Sequence, residues 1–279
     1  MNSIHLRKKT TTKWFRDLRN LICKDFEYFE NNNSKKKVKF TRSKWNKSKI
    51  KSEGGGEISI LRNGNIFEKV GVNISAVNGR FDKNFKNRIP GTKKSSKFWA
   101  SGISVVAHFQ NPKIPSLHFN TRYIITSKEW FGGGMDVTPC IKDDKQKKYF
   151  HQELKKMCSN HNKNYYKLHK LNCDKYFFLP HRNEPRGDGG IFYDYLNSDW
   201  EKDFLYTKDV GEVFLKIAKN IIKKKMKQKW TKKDREKQLV KRARYAEFNL
   251  LHDRGTKFGL STGGNIEAIF MSLPPLASW

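Results

Sequence analysis

The chain has 279 residues, 36% of them hydrophobic and 13% aromatic, which is enough apolar material for one or two domains with a core. These values exclude a disordered or fibrous chain. No uncharged apolar run approaches the ~18 residues of a membrane-spanning helix, and the N-terminus lacks the apolar block of a signal peptide. We therefore expect a soluble, cytoplasmic protein without a membrane span.

The formal net charge of +31 raises the question of a polyanionic partner. The excess comes from 44 Lys against 14 Arg, and the lysines are spread along the chain among many asparagines. Because phosphate and base-edge recognition favours Arg, this pattern is more typical of AT-rich coding bias than of nucleic-acid binding. Affinity for a polyanion such as RNA is the alternative.

The first part of the chain predicts a helix and a hairpin. Apolar residues recur at helical spacing over 12–30, which predicts an amphipathic helix capped by threonine. Alternating apolar residues over 57–76, interrupted by the turn signal Asn63-Gly64, predict a hairpin followed by a further extended segment. Two polar stretches, 31–37 and 78–97, are predicted to be connectors.

The rest of the chain mixes strands with helices. In the run 117–126 the side-chain period of two puts His118, Asn120 and Arg122 on one face of a strand. The other predicted elements are a strand over 98–109, helices over 143–159 and 200–229, and a final strand over 265–273. We expect an α+β fold, a single domain over 1–279 with a largely antiparallel sheet.

Arginine is scarce in this chain, yet five arginines fall in the polar segments between the apolar runs. If coding pressure replaces Arg by Lys wherever Lys is tolerated, the surviving arginines mark places that need a planar, bidentate cation. The pattern predicts a ligand with carboxylate or phosphate groups. The five are Arg122, Arg182, Arg186, Arg244 and Arg254.

Several of these features also have a purely structural interpretation. Gly132 to Gly134 is not followed by Lys-Ser/Thr, so a bulge or tight turn is favoured over a phosphate loop. Arg254 beside Asp253 fits a strand-end ion pair as well as a binding site. A single histidine on a strand is usually structural. Because His118 shares its strand face with Arg122, a functional role for His118 fits the sequence as well as a structural one.

Cofactor motifs are scarce in the sequence. The four cysteines have no CxxC spacing or paired clusters, so neither a zinc knuckle nor a disulfide framework is indicated. Four histidines, His108, His118, His151 and His181, are candidate ligands of a transition metal, but no pair has the spacing of HxxxH or HExxH. With no nicotinamide or flavin motif either, we expect no required metal or organic cofactor.

Taken together, these segments resemble the oxygen-dependent coproporphyrinogen III oxidase family. The matching blocks are GGGEISILRNGNIFEKVGVNIS, GISVVAH, HFNTR, WFGGGMDVTP, CDKYFFLPHRNEPRGDGGIF, RYAEFNLLHDRGTKFGLSTGG and MSLPP. They cover most of the chain in the family order, and several have ten residues or more, which makes the signal specific. The family fold is a flat antiparallel sheet with helices on both faces, and its members work as homodimers.

The resemblance implies oxidative decarboxylation of two propionates of coproporphyrinogen III to vinyl groups, with dioxygen as co-substrate, giving protoporphyrinogen IX in haem biosynthesis. It implies His118 as proton donor and Asp136 and Asp253 as carboxylates at the pyrrole nitrogens. The four histidines above are the implied candidate ligands of a divalent metal. The expected substrate-binding residues are Ser104, Asn120, Thr121, Arg122, Arg186, Arg254, Gly263, Gly264 and Asn265.

The chain departs from the family pattern at Asn265, where Arg is usual, which weakens one carboxylate contact. By the same resemblance, residues 245–279 form the dimer contact, and their apolar side chains exceed what one face of two predicted strands needs. Two functional alternatives are a basic RNA-binding protein and an inactive porphyrinogen-binding paralogue.

Overall fold

The computed structural model describes residues 3–32, 37–81, 89–261 and 263–279. In these residues the chain forms seven α-helices and nine strands, which confirms the predicted α+β class. The helices are α1 (Ile4–Asn31), α2 (Asp144–His161), α3 (Tyr165–Tyr176), α4 (Trp200–Lys225), α5 (Lys232–Leu251), α6 (Arg254–Ser261) and α7 (Ile266–Phe270). None of these described helices is long and apolar enough to cross a lipid bilayer.

Seven of the strands form one sheet in which every neighbouring pair is antiparallel. In sheet order they are β1 (Thr41–Asn46), β2 (Gly54–Arg62), β3 (Phe67–Arg80), β4 (Lys97–Phe109), β5 (Ser116–Ile125), β6 (Glu129–Thr138) and β9 (Gly190–Leu196). The short strands β7 (Phe178–Leu179) and β8 (Glu184–Pro185) pair separately. Since sheet order follows chain order, each strand is positioned by its sequence neighbours.

One face of the sheet carries the main hydrophobic core. Side chains alternate across a strand, and Leu117, Phe119 and Tyr123 of β5 are buried on this face beneath α1 and α4. Phe119 stacks on Phe214 of α4 with 4.8 Å between ring centroids. Truncating a buried Phe of this kind costs about 3–5 kcal/mol, so this face supplies much of the stability.

The opposite face carries a smaller aromatic cluster and the C-terminal helices. Phe177, Phe192 of β9 and Phe248 of α5 pack together here. Towards β2 and β3, Met271 lies over Gly71, where an added Cβ would be 2.9 Å from the methionine sulfur. The sheet therefore has helical segments on both faces, as the family resemblance implied.

The structure corrects the predicted ends of the chain. Helix α1 begins at Ile4, earlier than the predicted start at residue 12, because Ser3 caps it and accepts the Leu6 N–H at 3.2 Å. The predicted strand 265–273 and the two-strand interpretation of 245–279 are wrong. This region is helical because Asp253 and Asn265 accept backbone N–H groups three residues on, as helix N-caps do.

The structure confirms one predicted turn and one predicted irregularity in a strand. Asn63, with φ of 54°, lies in the turn that joins β2 to β3. The glycines 132–134 lie inside β6, beside a shift of register against β9. The predicted connectors 31–37 and 78–97 are only partly covered, because residues 33–36 and 82–88 lie outside the described residues.

Candidate active site

Three polar side chains of β5 form a row on the sheet face opposite the main core. His118, Asn120 and Arg122 are partly exposed there, while the residues between them are buried on the other side. This confirms the alternation predicted from the sequence. Across β6 their partners are Asp136, Gly134 and Gly132, so two of the three face a glycine.

His118 is bonded at both ring nitrogens. Its Nδ1 lies 2.7 Å from Asp136 Oδ1, and its Nε2 lies 3.1 Å from the Asn120 amide nitrogen. A carboxylate can only accept and an amide nitrogen can only donate, so the neutral imidazole donates from Nδ1 and accepts at Nε2. His118 can therefore take a proton at Nε2 while Asp136 stabilises the resulting imidazolium.

Asp136 is a buried carboxylate shared by His118 and Arg186. Arg186 Nη2 donates to Asp136 Oδ2 at 2.5 Å, and the two side chains are 1% and 2% exposed. Burial by itself would raise the pKa of Asp136, but the Arg186 guanidinium and the His118 hydrogen bond lower this pKa below its ordinary value. Asp136 is therefore ionised at neutral pH.

Arg186 lies beneath the site and does not face it. Its guanidinium carbon is 4.0 Å from the ring centroid of Phe177, 4.5 Å from that of Tyr245 and 4.6 Å from that of Phe248. Such contacts stabilise a desolvated cation through the ring faces. The geometry does not support the expectation that Arg186 binds a substrate carboxylate, since its charge is committed to Asp136.

Arg122 is an accessible guanidinium on this face, with its side chain 30% exposed. Its Nη2 lies 2.9 Å from Asp194 Oδ2 of β9, and its Nη1 lies 3.4 Å from Asn120 Oδ1. An added Cβ at Gly132 would lie 2.6 Å from Asp194 Oδ1 and 3.0 Å from Arg122 Nη2. Gly132 therefore makes room for the pair. Burial would lower the pKa of Arg122, but Asp194 keeps it above its ordinary value.

Asp253 lies at the start of α6, bonded through both carboxylate oxygens. Oδ1 accepts the Tyr176 hydroxyl at 2.7 Å, and Oδ2 accepts the Thr256 N–H at 2.6 Å. The predicted ion pair between Asp253 and Arg254 is replaced by these two bonds. Asp253 is thus an oriented acceptor at the junction of α5 and α6.

Arg254 and Arg122 approach the same aromatic ring. The guanidinium carbon of Arg254 is 5.5 Å from the Phe192 ring centroid, and that of Arg122 is 5.9 Å from it. Arg254 also lies 4.9 Å from the ring centroid of Tyr176. Two cations therefore converge on Phe192, as binding of a ligand with more than one carboxylate requires.

The remaining strand residues of the predicted site divide between the two faces. Ser104 of β4 lies opposite Asn120 on the polar face. Thr121 is 1% exposed and faces the main core, where its hydroxyl has no hydrogen-bond partner among the described residues. The Thr121 side chain therefore does not reach the polar face.

The predicted binding turn at 263–265 connects α6 to α7. Gly263 has φ of 70°, and the Gly264 N–H donates to Gly259 O at 2.8 Å. The Asn265 side chain accepts the Ala268 N–H at 2.9 Å and caps α7. Asn is a favoured residue at a helix N-cap. Asn265, which stands where the family usually has Arg, therefore stabilises the start of α7.

The four candidate metal ligands are not brought together. His108 contacts Ser116 Oγ and Ser272 O, His118 contacts Asp136 and Asn120, His151 contacts Asp188 O and the Tyr166 hydroxyl, and His181 contacts His252 and Glu247. In the described ranges no three His, Cys, Asp or Glu side chains are arranged to hold a metal ion. These residues do not fit a four-histidine metal site.

Asp194 and Tyr176 were not among the residues predicted from the sequence. Asp194 follows Phe192 by two residues in β9, so the alternation that located the β5 row would have placed both on the polar face. Tyr176 has no comparable local signal. Its importance depends on the end of α3 meeting the start of α6, which is a tertiary contact.

The site thus combines an oriented imidazole, buried and surface carboxylates, and accessible guanidinium groups on one sheet face. This arrangement is typical of an enzyme that binds an anionic ligand and transfers protons.

Comparison with known proteins gives the family. The family model described as coproporphyrinogen III oxidase matches residues 10–279. An oxygen-dependent coproporphyrinogen-III oxidase of Rickettsia bellii (strain OSU 85-389) is 50% identical over 277 residues, 98% of each chain. Relatives of the same description from Rickettsia rickettsii (strain Sheila Smith) and Rickettsia akari (strain Hartford) are 50% and 51% identical over 273 residues, 96% of each chain. The chain belongs to the coproporphyrinogen III oxidase family, which confirms the resemblance seen in the sequence.

Proposed function

We propose that this protein converts coproporphyrinogen III to protoporphyrinogen IX with dioxygen, as an oxygen-dependent coproporphyrinogen III oxidase. The observation that carries the proposal is that the accessible Arg122 guanidinium and the hydrogen-bonded His118–Asp136 pair lie on the same face of the sheet. A tetracarboxylate with four pyrrole N–H donors needs both cations and acceptors in one site.

Recognition of the substrate divides between its edge and its centre. Propionate carboxylates at the edge of the macrocycle bind guanidinium groups, which Arg122 and Arg254 present around Phe192. Pyrrole N–H groups at the centre bind a carboxylate, and Asp253 keeps a second lone pair free on each oxygen. Ser104 and Asn120, which are cross-strand partners, add neutral hydrogen-bonding groups on the same sheet face.

The reaction is a two-electron oxidation at each propionate. The carboxylate leaves as carbon dioxide, the β-carbon loses a hydrogen, and a vinyl group forms. Dioxygen accepts the two electrons and becomes hydrogen peroxide, which requires one proton from the site for each propionate. His118, bonded to ionised Asp136, is placed to hold and deliver that proton from Nε2.

We propose that turnover needs dioxygen as co-substrate but no metal or organic cofactor. Each candidate histidine already has its own hydrogen-bond partners, which supports this view. The test is exhaustive chelation followed by metal analysis of the active protein. Stoichiometric metal, with activity lost on stripping and restored on re-addition, would contradict it.

The proposed function is tested by incubating the protein with coproporphyrinogen III in air and under anaerobic conditions. Product is oxidised afterwards and read by porphyrin fluorescence, together with hydrogen peroxide. We expect protoporphyrin and peroxide only in air. Tight substrate binding without turnover would indicate the inactive paralogue, and salt-sensitive RNA affinity without turnover would indicate the nucleic-acid alternative.

We also propose a cytoplasmic homodimer with the C-terminal region 245–279 at its interface. Six large apolar side chains of this region are exposed: Leu250, Leu251, Leu260, Ile266, Leu276 and Trp279. A two-fold interface would bury such a surface twice. Because two subunits of net charge +31 repel each other, the dimer should loosen at low salt. Light scattering across a salt series tests this, and a fully active monomer at every salt concentration would refute it.

A further inference from the structure

Tyr176, the last residue of α3, joins three parts of the candidate active site. Its hydroxyl donates to Asp253 Oδ1 at 2.7 Å and accepts the backbone N–H of Arg254 at 3.1 Å. Its ring stacks on Phe192 of β9, with 4.5 Å between centroids and 3° between planes. One side chain therefore fixes the start of α6 relative to the sheet.

These contacts leave the Asp253 carboxylate with a single orientation. Tyr176 holds Oδ1, and the Thr256 N–H holds Oδ2 at 2.6 Å, so rotation of the carboxylate breaks at least one hydrogen bond. The second lone pair of each oxygen stays available to an outside donor.

The Tyr176 ring is itself held on several sides. It meets Phe177 and Phe248 edge-on, with centroids 4.8 Å and 5.5 Å away, and Arg254 lies above it. Burial, together with the nearby Asp253 carboxylate, raises the pKa of Tyr176, so its hydroxyl remains a donor at neutral pH. The hydroxyl therefore has little freedom to leave Asp253.

We propose that Tyr176 is a positioning residue whose hydroxyl orients Asp253 towards the pyrrole N–H groups of the bound substrate. The inference rests on the proposed function, because it needs a porphyrinogen as substrate. Tyr176 acts through Asp253 and does not touch the reacting atoms. Orientation of this kind affects the rate of the chemical step more than substrate binding.

The first test is Tyr176→Phe, which keeps the ring and its stacking and removes the hydroxyl. We expect kcat to fall about 10-fold, the effect of losing roughly one hydrogen bond, while KM changes less than about 2-fold because the guanidinium groups of Arg122 and Arg254 still bind the propionates. The matched control is Tyr206→Phe. Its hydroxyl is buried in the main core, 2.8 Å from His169 Nδ1, and its loss should leave kcat unchanged.

The second test is a double-mutant cycle with Asp253→Ser, which keeps a helix cap at this position but removes the carboxylate. If Tyr176 acts through Asp253, Tyr176→Phe should change kcat less than about 2-fold in the Asp253→Ser background. An equal loss of kcat in both backgrounds would overturn the proposal. So would a Tyr176→Phe variant with wild-type kcat.

Failure of the Tyr176 proposal can be distinguished experimentally from failure of the proposed function. A wild-type protein that does not turn over coproporphyrinogen III would refute the function and, with it, a role of Tyr176 in that chemistry. The same cycle measured on the free energy of unfolding needs no substrate. Additive effects there would show that Tyr176 does not hold Asp253, and a coupling between the two substitutions would confirm that it does.

Discussion

His118 and Asp136 are direct cross-strand partners on β5 and β6, and their side chains meet at 2.7 Å between Nδ1 and Oδ1. The register of two central antiparallel strands therefore sets the geometry of the pair, with no mobile loop involved. The same register places Arg122 and Asn120 along the strand at fixed intervals. A site built in this way is oriented before any ligand arrives.

The buried pair of Asp136 and Arg186 should make Asp136 important for stability. Asp136→Asn should lower the free energy of unfolding by about 3–5 kcal/mol, because the Arg186 guanidinium then lies buried without its counter-charge. Urea unfolding followed by circular dichroism measures this. Adding Arg186→Met to Asp136→Asn should restore part of the loss, and strictly additive losses would contradict the pairing.

Arg122 should bind a propionate through a charge-assisted contact. Arg122→Ala should lower kcat/KM by about 30- to 150-fold, equivalent to about 2–3 kcal/mol. The matched control is Arg16→Ala, since Arg16 is exposed on α1, on the other side of the sheet. Steady-state kinetics on both variants decides the matter. A folded Arg122→Ala enzyme with wild-type kcat/KM would show that the assignment is wrong.

Two glycines of β6 should separate activity from stability. A Cβ at Gly132 meets only the ends of the Arg122 and Asp194 side chains, which can move, so Gly132→Ala should fold and lose about 10-fold in kcat/KM as the pair is displaced.

At Gly134 an added Cβ would lie 2.2 Å from the backbone oxygen of Ile191, so Gly134→Ala should instead lower the melting temperature. Thermal melts and kinetics on both variants test this contrast. It fails if Gly132→Ala is the less stable of the two or retains full activity.

Glu247 should contribute to stability at neutral pH and lose that contribution in acid. Hydrogen bonds from Arg182, and also from His181 and Trp279, lower the pKa of Glu247 from 4.5 to about 2. The folded state then binds fewer protons than the unfolded state in this window, so stability is complete above pH 4.5 and falls as the pH drops towards 2.

The measurement is the free energy of unfolding of wild type and Glu247→Gln as a function of pH. The gap between the two should shrink by about 2 kcal/mol from pH 5 to pH 3. Glu236→Gln, at an exposed position of α5, is the control for removing a carboxylate elsewhere on the same helix. A constant gap for Glu247→Gln would contradict the prediction.

Local patterns predicted the central strands well, because alternation along β5 is a property of consecutive residues. They failed at the C-terminus, where apolar residues spaced for a strand belong to short helices. The deciding signals there are the helix caps at Asp253 and Asn265, whose side chains each accept a backbone N–H three residues on. Sequence spacing alone does not show that these side chains cap helices.

The polar contacts of the site were predictable only in part. Arg186 and Arg122 look alike in the sequence, yet one is 2% exposed under three aromatic rings and the other is open to ligand. The difference arises from Phe177, which directly follows α3, and from Tyr245 and Phe248 of α5, whose rings cover the Arg186 guanidinium. Which arginine is accessible is therefore decided by packing between elements distant in sequence.

The strict alternation of β5 also constrains how this strand can evolve. Inserting or deleting one residue within it would reverse the facing of every side chain on one side of the change, so that a polar residue such as His118 or Arg122 would turn into the main core and an apolar residue such as Phe119 or Tyr123 would turn out of it. Point substitutions can be tolerated, since each affects only one face of the strand. Changes in strand length should not be tolerated. Insertions in related chains should therefore accumulate in the connections on either side of β5 and leave its ten residues intact.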